Sequence, residues 1–257
     1  MSEKALALVV RGTDWSETSR IATLFTREFG KIRALAKGGR RLKSNFDVGF
    51  DLLTVCRIVF LKKASGGLDL LTEAHMAETF PALRTNLPSL YAGYYVAELL
   101  ADGTQDYDPH ERLFDVAIAT LRALNQPHEE ESAPIPLQLA AFELVWLQEL
   151  GYSPQFDACA VCARELSVPW PPAVRVTYSP EAGGVVCPDC SPTVRDRRPL
   201  SAEAWAILRE LSRRADASEH AFELPPGIRR EVRAILGHTV SYVLGRRPRM
   251  LGYVEGG

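Results

Sequence analysis

Apolar residues change their spacing near Pro81, and that change divides the chain. Before it, short apolar runs are separated by turn residues, as half-buried strands are. The pattern predicts strands over residues 5–10, 21–29, 32–36, 52–61 and 68–74, with helix as the alternative over part of 16–26. Phe29-Gly30-Lys31 and Gly66-Gly67 supply turns, and residues 37–50 form a loop. Five short strands with such punctuation point to a small barrel or sandwich.

After Pro81 the period lengthens to three or four residues. Leu90, Tyr94, Ala97 and Leu100 predict a helix stopped near Gly103. Leu113, Val116, Ala117, Thr120, Leu121 and Leu124 predict a second, capped by Asp108 with Pro109 at its first position. An acidic, Pro-containing linker over 127–136 leads to a third helix over 137–150, closed by Gly151. Helices return at 201–214 and 226–244. Leu90, Tyr94, Leu113 and Leu121 are expected in the core rather than in a groove, as are Leu236, Val240, Val243 and Leu244.

Composition sets wide bounds. The 257 residues are 46% hydrophobic, enough for sizeable cores, which excludes global disorder. A net charge of -2 excludes a wholly basic coat protein, but the charge is segregated. Residues 1–80 carry +4, residues 81–158 carry -9 and residues 159–257 carry +3, with all six lysines in the first 63 positions. No apolar run reaches the length of a membrane span, and Glu3 and Lys4 interrupt any export signal. A soluble cytoplasmic protein without membrane partners is therefore expected.

The sharpest local signal is Cys159, Cys162, Cys187 and Cys190, two CxxC pairs separated by 24 residues. Four thiolates suit a closed tetrahedral zinc site, and a full protein shell leaves no position for catalytic water. An iron–sulfur or redox use and unligated core cysteines are the competing readings. Residues 174–178 and 185–186 predict a hairpin between the pairs. Cys56 lies in an apolar run and reads as a buried free thiol.

A second signal is basic. Lys31 and Arg33 sit two apart on one strand face, and Lys37, Arg40, Arg41 and Lys43 follow around Gly38-Gly39. Such a loop beside a small barrel suits a phosphate backbone, and a solvated turn is the plain alternative. Arg11, Arg20, Arg27, Lys62 and Lys63 extend this surface if they share its side, and Trp15, Phe46 and Phe50 are stacking candidates. Arg229, Arg230, Arg233, Arg246, Arg247 and Arg249 near the end of the chain either meet an acidic partner or face water. Catalysis has little support. No GxxxxGK[ST], HExxH or GxGxxG occurs, the five histidines form no spaced cluster, and Asp106, Asp108 and Glu129 to Glu131 read as solvated. No small-molecule substrate is indicated. The alternative to DNA binding is a zinc-stabilised interaction scaffold.

Three segments, residues 14–20, 24–31 and 36–44, together resemble the amino-terminal region of the bacterial RecO recombination mediators. Phe142-Glu143-Leu144, Leu150-Gly151-Tyr152 and Gly183-Gly184-Val185-Val186-Cys187 continue the resemblance. It implies an α+β protein with an OB-fold β-barrel over 1–80. A helical domain follows over 81–158 and 196–257, with a four-cysteine zinc-binding insert over 159–195. It further implies binding and annealing of single- and double-stranded DNA, without nucleotide hydrolysis. Help in loading recombinase onto DNA coated by single-strand-binding protein would accompany this, in the bacterial cytoplasm at the nucleoid. The partners implied are a RecR-type mediator and the acidic C-terminal tail of the single-strand-binding protein. Zinc, one structural ion per chain, is the cofactor implied.

Overall fold

The computed structural model describes residues 2–37, 46, 50–63, 66–126, 135–166, 176–213 and 224–255. The chain forms two compact units, residues 1–126 and 127–257. In the first, β1 (Ser2–Asp14), β2 (Arg20–Thr26), β3 (Gly30–Ala36), β4 (Val55–Leu61) and β5 (Asp69–Glu78) close into a barrel in the order β1-β2-β3-β5-β4. The β3–β5 seam is parallel and short, from Ala34↔Asp69 to Ala36↔Leu71, and the other pairings are antiparallel. Ala7, Val9, Leu24, Ile32, Ala34, Ile58, Phe60 and Leu71 fill its interior. The strand β1 runs past its apolar stretch because its first half pairs with β4 and its second half with β2.

Two helices complete this unit, α1 (Leu87–Gly103) and α2 (Glu111–Leu124). A strand with solvent on one side alternates, as β3 does, but β2 is buried on both faces from Ala22 to Thr26. Its outward face is covered by α1, and Phe25 stacks on Phe114 of α2 at 6.2 Å. Burying such a phenylalanine is worth about 2–3 kcal/mol. Helix α2 begins at Glu111 with no side-chain cap, not at the expected Asp108–Pro109. The backbone of Asp108 is instead pressed against Gly30, where an added Cβ would lie 2.0 Å from its carbonyl oxygen and φ is +67°. Only glycine fits there.

The second unit places α3 (Ile135–Glu149) at its centre, with nearly every side from Leu137 to Leu147 buried. Against it pack α4 (Ala202–Arg213) and α5 (Pro226–Leu244). A three-stranded sheet, ordered β7-β6-β8, is built from β6 (Val176–Ser179), β7 (Gly184–Val186) and β8 (Arg198–Leu200), and a short α6 (Leu251–Val254) follows α5. Ser201 starts α4. Its hydroxyl accepts from the Ala204 N–H at 3.2 Å and donates to Glu231 of α5 at 2.6 Å. Tyr178 of β6 meets Thr239 of α5 at 2.9 Å, which ties sheet to helix.

The expected fold class, an OB-fold β-barrel followed by a helical domain with an embedded four-cysteine zinc finger, is therefore corrected. The chain does not form a free-standing barrel followed by one helical body. The helices α1 and α2 belong with the strands, because the outward apolar face of β2 needs a cover. The cysteine segment carries a sheet of its own, with the unforeseen β8 at one edge. Leu113 and Leu121 are core residues, whereas Leu90 and Tyr94 are half-buried and line a cleft of about 310 Å³ with Phe50, Leu53 and Leu83.

Candidate metal centre and nucleic-acid interface

Two chain turns make the cysteine site. In the first, Ala163 has φ +58°, and its N–H donates to the Cys159 carbonyl at 2.8 Å, so the chain folds back between Cys159 and Cys162. In the second, the Cys190 N–H donates to the Cys187 carbonyl at 3.1 Å directly after β7. Backbone bonds lace the turns together: Ala160 N–H to Val185 O at 2.8 Å and Val185 N–H to Gln155 O at 2.9 Å. Gly184 permits this approach, since a Cβ there would come within 2.3 Å of Gln155 O.

All four sulfurs lie within 4.8 Å of one another, and Cys162 Sγ is 3.8 Å from Cys187 Sγ. That is far beyond a disulfide. It matches the roughly 3.8 Å edge of a tetrahedron with metal–sulfur bonds of about 2.3 Å. Burial raises the Cys159 thiol, but N–H groups of Cys187, Cys162 and Val161 outweigh it and bring the thiol down to about 6. Hydrogen bonding with Cys187, then burial, pushes Cys190 up to about 12. The two shifts run in opposite directions, as expected of close thiols whose titrations are coupled. The cluster is a donor set able to coordinate a metal. Cys56 stands apart in β4, and burial pushes its thiol up to about 12, so it is inert.

The basic residues are less unanimous. On β3, Ile32, Ala34 and Ala36 face inward, while Lys31, Arg33 and Leu35 take the outer face. Arg33 and Lys37 are exposed and carry no ion pair among the described residues. Lys31 is withdrawn, with its side chain only 12% exposed. Its ammonium donates to the carbonyls of Ala101 at 2.9 Å and Thr104 at 2.5 Å, and lies 3.4 Å from Asp106. Arg40, Arg41 and Lys43 lie outside the described residues. The other candidates are also engaged: Arg11 with Asp102, Arg20 with Asp14, and Arg27 with Glu111 and Asp115. Lys62 lies 3.8 Å above the ring of Tyr107, whose hydroxyl donates to the buried Asp69. Lys63 is exposed.

Of the aromatic candidates, Phe46 and Phe50 pack edge to face in the core at 5.3 Å, and Trp15 is 66% exposed. The register Asp14↔Arg20↔Ala36 puts the turn bearing Trp15 beside the end of β3, at Lys37. Among the C-terminal arginines, Arg233 is buried and paired with Glu143 of α3. Its spacing, three and seven residues before Leu236 and Val240, puts it on the buried stripe of α5, and that is the signal that separates it from the exposed Arg230. His238 faces Asp196 at 2.8 Å. Among the described residues no helix is long and apolar enough to cross a membrane.

Comparison with known proteins supplies the family. The family model Recombination protein O N terminal matches residues 1–80, and Recombination protein O C terminal matches residues 84–251. The DNA repair protein RecO of Rhodopirellula baltica is 34% identical, over 95% of this chain and 96% of that protein. The DNA repair protein RecO of Roseiflexus sp. is 31% identical, over 97% and 83%. That of Anaeromyxobacter sp. (strain K) is 32% identical, over 95% and 92%. The chain belongs to the RecO family of DNA repair proteins, which are non-catalytic mediators.

Proposed function

We propose that the protein binds single- and double-stranded DNA by its phosphate backbone and anneals complementary strands. In this reading it helps load the strand-exchange recombinase onto DNA coated by single-strand-binding protein, with that protein's acidic tail and a RecR-type mediator as partners. It would work in the bacterial cytoplasm, at the nucleoid. One observation carries the DNA contact. Arg33 stands exposed on the outer face of β3, and Lys37, exposed just past the end of that strand, leads directly into Gly38-Gly39-Arg40-Arg41-Leu42-Lys43. Arg33, Lys37, Arg40, Arg41 and Lys43 form the strand contact, and Lys31 supports it from below. Trp15, at the same end of the barrel, offers a ring for a base.

The mechanism is electrostatic. Cations placed on two backbones lower the repulsion between strands, so complementary bases can meet and pair. No bond is made or broken. The four cysteines hold one structural zinc, whose chemistry is to cross-link the two chain turns.

The test is a salt titration of DNA affinity. Arg33→Ala with Lys37→Ala, and separately Arg40→Ala with Arg41→Ala, should weaken binding at every sequence. Each pair should lower the magnitude of the salt slope by about 1–2 and slow annealing. Unchanged affinity, slope and annealing in both variants would leave a protein-interaction scaffold as the better account.

A further inference from the structure

We propose that the second unit carries its own contact for a nucleic-acid strand, on the surface where β8 meets the C-terminal half of α5. Arg195 and Arg198 hold phosphates there, and Tyr242 stacks on a base. The inference rests on the reading of the protein as DNA-binding, and it adds a site in a different part of the chain.

The run Arg195-Asp196-Arg197-Arg198 holds three cations and one acid, and all three arginines are exposed. The acid is turned away, since Asp196 lies 2.8 Å from His238 of α5. Arg197 donates to Ser191 O at 3.2 Å, which anchors the run to the turn after Cys190. Arg195 and Arg198 have no ion pair among the described residues. Arg198 stands opposite Tyr178 in the β6–β8 register, and residues directly opposite share a sheet face. Tyr178 reaches Thr239 of α5, so Arg198 emerges on the helix side. One turn beyond His238 on the same helical stripe is Tyr242, which is 49% exposed. Arg246 and Arg249 follow and are exposed.

Guanidinium forks match phosphate oxygens in pairs, and an exposed tyrosine beside them offers a base a stacking face. An acidic peptide would use the charges and leave the ring without a partner. Arg197 already serves the turn after Cys190, so it is left out of the variants.

The experiment measures fluorescence anisotropy of a labelled oligonucleotide, single-stranded and duplex, with the full-length protein across salt concentrations. Circular dichroism and metal content check the fold. Arg195→Ala with Arg198→Ala should weaken binding several-fold and lower the magnitude of the salt slope by about 1–2. Tyr242→Ala should weaken single-strand binding at least about fivefold with the slope and duplex affinity unchanged, and Tyr242→Phe should restore it. Wild-type affinity and slope in Arg195→Ala with Arg198→Ala and in Tyr242→Ala would overturn the inference, including the case where they lose binding to an acidic peptide instead. The β3 variants separate the two sites. Loss there with none here overturns this inference alone, and loss here with none there overturns the β3 contact alone.

Discussion

The ammonium of Lys31 sits where a helix leaves its last carbonyls without partners. Ala101 and Thr104 both accept from it, at the C-terminal end of α1, where a cation also meets the favourable end of the helix dipole. Lys31→Met should therefore cost about 2 kcal/mol of stability in a denaturant titration and leave the salt slope of DNA binding unchanged. A lowered slope at wild-type stability would return Lys31 to the DNA face. A similar logic gives a pH dependence at Glu78, which receives Arg122 of α2 at 2.7 Å. The hydrogen bond from Arg122 holds the carboxyl below its ordinary value, against burial, which raises it. A depressed carboxylate contributes stability above its unfolded value and loses it as the pH falls through the folded one. Between about pH 5 and pH 3 the wild type should lose more stability than Arg122→Ala, by a few tenths of a kcal/mol because the pair is part-exposed. Parallel acid curves would show that the pair contributes nothing.

At the scale of elements, the two CxxC turns were legible from spacing alone, because tetrahedral coordination demands four sulfurs and each turn delivers two. The register that brings them together was not, since it depends on Gly184 allowing Gln155 within contact distance. The hairpin was also readable, but its partner β8 is three residues long and includes a proline, too short to show a period. With zinc bound, metal analysis should return one ion per chain, and Cys162→Ser should lose it. Chelation should melt the β6-β7-β8 sheet at lower temperature while leaving the first unit's transition in place. A thermal profile indifferent to chelator would separate the cluster from folding. The α3–α5 contact hides a different device, the wholly buried Glu143–Arg233 pair. Removing one member strands a charge, so Arg233→Met should cost about 3–5 kcal/mol, whereas Glu143→Leu with Arg233→Met should recover most of it. If the double variant is no better than the single, the pair is held by more than mutual neutralisation.

At the scale of the whole chain, two divisions coexist. The family models part between residues 80 and 84, where the apolar period changes, and the compact units part at 126. Periodicity reports how each segment is built, and it is silent about which segment covers which. The acidic middle looked like a separate surface in sequence, yet Asp102, Asp106, Glu111 and Asp115 reach back to Arg11, Lys31 and Arg27. Charge segregation along the chain was therefore partly a record of contacts within one unit, which is why fewer cations remain for DNA than the count suggested. A fragment test follows from the burial of β2 on both faces. Residues 1–126 should fold with a single cooperative transition, because α1 and α2 cover Phe25 and Gly93 fits against Leu53. Residues 1–80 keep every strand but expose that apolar face and lose the Arg27 and Arg122 pairs. They should bind a hydrophobic dye and aggregate, or unfold several kcal/mol earlier than the longer fragment. Equal stability of the two fragments in urea would mean that the strands form an independent module and that α1 and α2 merely lie on it.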